Sequence, residues 1–132
     1  MRRRLTPIFL VVAGCLAGLI GAGILLVPRA FFATNHITLE ADPNLMSEIR
    51  APGGLLLAAA LAMVAGGFNR KLAQPGLITA VFVFGMYGIA RLFSLVVDGV
   101  PSASLVGALI LEAVLAFVAL ALLERSHKQS AD

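Results

Sequence analysis

The chain has 132 residues, of which 60% are hydrophobic and only 13% charged, against about 25% charged in an average soluble domain. Roughly a third of the unfolded surface of so short a soluble chain stays wet after folding, so this composition excludes an ordinary water-soluble domain and requires an apolar solvent. The net charge of +3 does not point to nucleic acid, because the basic residues sit at the ends of apolar segments and not on one face.

The first segment, from Leu5 to Pro28, carries no charge. A hydrocarbon core takes about 20 apolar residues to cross, so a first span is predicted over about 6–28. Thr6 is suited to an N-cap and Pro7 to the first helical position, and Pro28 ends or bends the helix. Arg2, Arg3 and Arg4 ahead of this run also suit a signal peptide. The run is longer than an h-region of about 7–15 residues and no A-x-A-like site follows, so an uncleaved anchor is expected. Cys15 is the chain's single cysteine. It has no intrachain disulfide partner and no nearby cation to lower its pKa, and it is expected to pack as a small residue.

A connection over 29–42 carries Phe31 and Phe32, suited to a membrane interface. Asp42 then reads as an N-cap and Pro43 as the first residue of a second span, over 43–68, which includes Glu48 and Arg50 before a charge-free stretch. Pro52 is suited to a kink. Asn69, Arg70 and Lys71 form a basic turn, and Pro75 and Gly76 restart the chain for a third span over 75–97. Asp98 and Gly99 stop it. Pro101 and Ser102 open a fourth span over 102–123, and residues 126–132 form a polar tail expected to fray. The short connections make spans two, three and four antiparallel neighbours. The expected architecture is all-α: a single-domain integral membrane four-helix bundle, up-down-up-down, over residues 1–132.

Orientation follows from the cations. Arg2, Arg3, Arg4, Arg70, Lys71, Arg125 and Lys128 fall on one side, Arg29 and Arg50 on the other, with Arg91 inside a span. Cytoplasmic loops carry the Lys/Arg excess, so both termini are expected in the cytoplasm. A three-span reading, with the fourth segment lying on the surface because of Glu112, is disfavoured. Apart from Glu112, that segment lacks the polar face of an interfacial helix.

Ionisable residues inside a membrane are rare and mark functional sites by default. Arg91 and Glu112 lie well inside spans three and four; Glu48, Arg50 and Asp98 lie at the outer ends. At about 1.5 Å per residue, Arg91 is roughly 10 Å and Glu112 roughly 12 Å from the outer end of its span, so the two charges are placed to pair. Tyr87, Arg91, Ser94 and Asp98 are spaced four, three and four and share one helical face. Two readings are open. In one, these residues form an ion-pair network that fixes helix packing. In the other, they line a pocket for an anionic, quinone-like or lipid headgroup ligand, or Glu112 carries a proton.

Gly14 and Gly18 form a small-xxx-small pair, followed by Gly21 and Gly23. Gly53, Gly54, Gly66 and Gly67 flank span two, and all are expected to serve close helix packing. His36 and His127 have no neighbouring ligands, so no metal is expected. No catalytic motif is present, and no catalytic residue is assigned.

The stretch "DPNLMSEIRAPGGLLLAAALAMVAGG", then "YGIARLFSLVVDGVPS", then a glutamate in the last span, resembles the bacterial membrane family called domain of unknown function 4345. The resemblance covers about Gly21 to Leu123 and rests on Glu48, Arg50, Gly53, Gly54, Arg91, Asp98, Gly99 and Glu112. The layout is also distantly similar to DoxX-like four-span families, some of them linked to quinone-dependent or thiol redox systems. The resemblance implies a four-span protein of a bacterial inner membrane and supplies no reaction; a lone cysteine argues against dithiol chemistry. The expected function is therefore a non-catalytic accessory or scaffold subunit, embedded in the lipid bilayer and associating with another membrane protein or with itself. A lipophilic-ligand or quinone-binding helper, and a small proton-coupled transporter using Glu112, are the alternatives.

Overall fold

The computed structural model describes residues 5–131, with side chains described through Ser126. Arg2, Arg3 and Arg4 and the side chains of His127 and Lys128 lie outside the described residues. Five helices follow in order: α1 (Leu5–Leu26), α2 (Pro28–Ala33), α3 (Pro43–Phe68), α4 (Arg70–Val97) and α5 (Ala103–Ala131). Four of them are long and apolar enough to cross a membrane, and the chain is a multi-pass membrane protein.

The helix ends show how local chemistry sets the boundaries, and where they depart from hydropathy. α1 already includes Leu5 and Thr6, so Thr6 is not an N-cap and Pro7 lies in the first turn. Pro28 does not merely end the span: it becomes the first residue of the short helix α2, where its missing N–H is no loss. The Asp42 carboxylate accepts from the Leu45 N–H at 2.8 Å and starts α3. The turn between α3 and α4 shrinks to Asn69, whose side chain accepts from the Lys71 N–H at 3.0 Å. α4 thus begins at Arg70 and not at Pro75, which sits inside the helix. α4 ends at Val97 with Asp98 as its cap, followed by Gly99 at φ +96°, the left-handed residue that commonly closes a helix. α5 begins at Ala103 and runs past Leu123 and the expected tail to Ala131.

Successive long helices run antiparallel. Gly14 approaches Ala60 and Val64, Gly21 approaches Gly53 and Leu57, and Gly67 approaches Pro7 and Val11. One stripe of α1 is buried (Leu10, Ala13, Gly14, Ala17, Gly21 and Ile24), facing Gly53, Leu56, Ala60, Met63 and Gly66 of α3. The spacing of three and four residues keeps each stripe on one side of its helix. Lipid tails are as apolar as leucine, so this association rests on close van der Waals packing, which small residues permit. α4 adds Gly76, Leu77, Ala80, Phe84 and Gly88 to the core. α5 leans on α4, touches α1 slightly and makes no close approach to α3 among the described residues. The architecture is a close α1–α3 pair, with α4 packed on α3 and α5 packed on α4.

Four packing expectations are refined. A Cβ at Gly54 would meet nothing within 4 Å, so Gly53 alone of that pair serves the contact. Gly18 makes only an ordinary contact, 3.5 Å to Ala60. Cys15 is exposed, because it falls on the face of α1 opposite the buried stripe. Gly23 serves α2 and not a neighbouring span, since a Cβ there would come within 2.7 Å of the Phe31 ring.

Candidate functional site

Arg91 on α4 and Glu112 on α5 form an ion pair. The Arg91 Nε–H is shared between both carboxylate oxygens, 3.0 Å from Oε1 and 2.9 Å from Oε2. Their side chains are 32% and 14% exposed. Pairing satisfies two groups that would each be costly alone at this depth. It also adds a directed polar tie to the apolar contact between α5 and α4, in which Ala119 is buried and Leu115, Ala116, Leu122 and Leu123 pack against the core. Tyr87, one turn before Arg91, is partly buried and lies within electrostatic reach of both charges.

The other polar residues do not join this pair. The Ser94 hydroxyl donates to Asp98 Oδ2 at 2.8 Å, a contact within the end of α4. Arg50 on α3 donates through Nη1 to the Leu25 carbonyl of α1. That carbonyl is among the last four of its helix, which lack intrahelical donors, and Arg50 supplies one across the interface. Glu48 is exposed. No hydrogen bond or ion pair among the described residues links Glu48 or Arg50 to Arg91, Asp98 or Glu112. The single cluster expected from the sequence is therefore two separate sites, because the end of α3 follows α1 while α4 carries α5.

Sequence reasoning missed a second tie to α5. The Ser104 hydroxyl in its first turn donates to Asn35 Oδ1 at 2.7 Å, and the Ser102 and Ser104 hydroxyls lie 2.9 Å apart. A serine pair at a helix start is visible as capping chemistry. Its partner, far away in the α2–α3 connection, carries no local signal.

A partly open crevice of about 70 Å³ lies between α4 and α5, beside the ion pair and toward the Asp98 end. It is lined by Arg91, Ser94 and Leu95 on α4, Pro101 in the loop, and Leu105, Val106 and Leu109 on α5. A pocket between the two charges would be bounded by Tyr87, Arg91 and Glu112. Only Arg91 of these lines the crevice, since the direct contact closes the space between the two charges.

The family profile "Domain of unknown function (DUF4345)" matches residues 5–123. The match takes in the first three membrane-spanning segments and most of the fourth, both partners of the ion pair and every residue lining the crevice, and the chain belongs to this family. No curated protein and no solved structure matches it.

Proposed function

We propose that the chain is a non-catalytic accessory or scaffold subunit that presents α5 to another membrane protein. The observation that carries this reading is the direct Arg91–Glu112 contact. Both carboxylate oxygens accept from Nε, so the charges act as a clasp that orients a helix. The uses of Arg50 on a helix-end carbonyl of α1 and Ser94 on Asp98 agree, since the first joins two helices and the second holds a helix end. The free face of α5 carries Ile110, Val114 and Phe117, all exposed, on one side of the helix by their spacing of four and three. A photoreactive benzoylphenylalanine at Phe117 is expected to give a discrete protein adduct in native membranes, in preference to one at Leu19 on α1. Lipid adducts alone at both positions would sink the reading.

The same reading places the chain in a cytoplasmic membrane with both ends inside, supported by the cation bias. Green fluorescent protein fused after Asp132 is expected to fluoresce, and alkaline phosphatase at the same point to be inactive. The opposite pair of results reverses the orientation.

A further inference from the structure

We infer that the α4–α5 crevice binds the carbonyl group of an uncharged amphiphile, recognised by the terminal N–H groups of Arg91. Arg91 commits only Nε to Glu112. Nη1 and Nη2 have no hydrogen-bond partner among the described residues, although the side chain lines the crevice and is only a third exposed. Guanidinium donors at this depth cannot rely on bulk water. At about 1.5 Å per residue, Arg91 lies roughly 10 Å inward of Asp98 along α4, and unsatisfied polar groups in hydrocarbon are costly. An acceptor oxygen in the crevice satisfies them.

Charge decides which acceptor. Glu112 neutralises Arg91, and Asp98 stands one hydrogen bond away from Ser94 in the crevice wall. The surroundings therefore carry one positive and two negative groups, and a phosphate or carboxylate would meet net repulsion. A neutral carbonyl needs only the two donors. The Ser94 proton is directed to Asp98, so Arg91 remains the donor.

Size and shape decide the rest. A cavity needs only about 10–15 Å³ to hold one water, so about 70 Å³ accommodates a small polar group such as an ester or ketone with a few flanking carbons and not a whole lipid. The remaining walls are Leu95, Pro101, Leu105, Val106 and Leu109, which suit a hydrocarbon chain leaving through the open side. The carbonyl is either the ester of a bilayer lipid or that of a separate lipophile; the recognition chemistry is the same.

The test uses the full chain in nanodiscs of diether phosphatidylcholine, which has no carbonyl. Three probes carrying ¹³C carbonyl labels are added separately: methyl oleate, dioleoylphosphatidylcholine and oleate. Native mass spectrometry reads retention, and carbon–nitrogen dipolar NMR reads contact with labelled arginine Nη. An uncharged ester is expected to be retained with Nη contact, and oleate at least tenfold less. Retention of methyl oleate assigns a free lipophile, and retention of the phospholipid ester alone assigns the bilayer. Arg91→Lys keeps a cation for Glu112 but removes the forked donors, and Leu109→Trp fills the crevice without touching the pair. Each is expected to weaken retention about tenfold, the lysine by losing one or two net hydrogen bonds and the tryptophan by taking the space. Equal or tighter binding of oleate would overturn the inference. So would undiminished retention in both variants, or a wild-type crevice that holds only water.

Discussion

Gly21→Leu is expected to separate α1 from α3 and to lower stability by about 3 kcal/mol, the upper part of the usual range for overpacking. The reason lies in what a side chain there would strike. A Cβ at Gly21 would stand 2.8 Å from the Leu57 nitrogen and 2.9 Å from the Gly53 oxygen. Both are backbone atoms of a neighbouring helix and cannot rotate aside as a side chain can. Relief requires the two helices to move apart, which forfeits contact along the whole stripe from Leu10 to Ile24. In a bilayer that loss is not softened by a hydrophobic effect between helices, because close packing is itself the source of association.

The same interface supplies its own control. Gly53 and Gly54 are adjacent and look alike in sequence. A Cβ at Gly53 would lie 2.8 Å from Ile24 Cγ2 and 2.9 Å from the Leu25 nitrogen, whereas one at Gly54 meets nothing within 4 Å. Gly53→Ala is expected to destabilise, and Gly54→Ala to be neutral or to stabilise by up to about 1 kcal/mol through helix propensity. Reversible unfolding in bicelles, followed by circular dichroism, measures all three variants. Equal behaviour of the two alanine variants would show that the α1–α3 packing described above is wrong.

Gly53 and Gly54 also mark the limit of what is legible in the sequence. Hydropathy locates the four spans because the bilayer imposes a length of apolar chain. It does not locate helix ends, since a helix can continue beyond the hydrocarbon as α4 does from Arg70 and α5 does past Leu123. Counting glycines identifies the small residues but not which of two neighbours faces a partner. About 100° of rotation separates consecutive residues on a helix, and only the tertiary arrangement fixes the zero of that angle. The juxtaposition of Arg91 and Glu112 is legible because rise per residue gives depth, and sequential antiparallel helices lie side by side. Lateral position has no such ruler. Glu48 and Arg50 share an end of the molecule with Asp98, yet Arg50 bonds to α1 and Glu48 is exposed. Asn35 reaches Ser104 through a loop whose path no periodicity records.

Glu112→Leu is expected to cost about 3 kcal/mol, because it leaves Arg91 as an unpaired cation on a membrane helix. The pair is not fully enclosed, with Arg91 32% exposed, so snorkelling toward the Asp98 end softens the loss. Arg91→Leu is expected to cost a similar amount by stranding Glu112. The double variant separates a clasp from mere charge compensation. If neutralisation were all, Arg91→Leu with Glu112→Leu would restore wild-type behaviour in full, since replacing a buried pair by apolar residues is often neutral. The other contacts of α5 are mainly apolar and set no single register: it packs along α4, with Ala119 buried and Leu115, Ala116, Leu122 and Leu123 against the core, and Ser104 tied to Asn35. The double variant is therefore expected to regain thermal stability while α5 loses its fixed position on α4. Spin labels at Gly85 and Val118, measured by electron–electron resonance, are expected to give one narrow distance in the wild type and a broadened distribution in the double variant. A narrow, unshifted distance in the double variant would show that apolar contact alone seats α5, and the ion pair would then lose its role as the clasp.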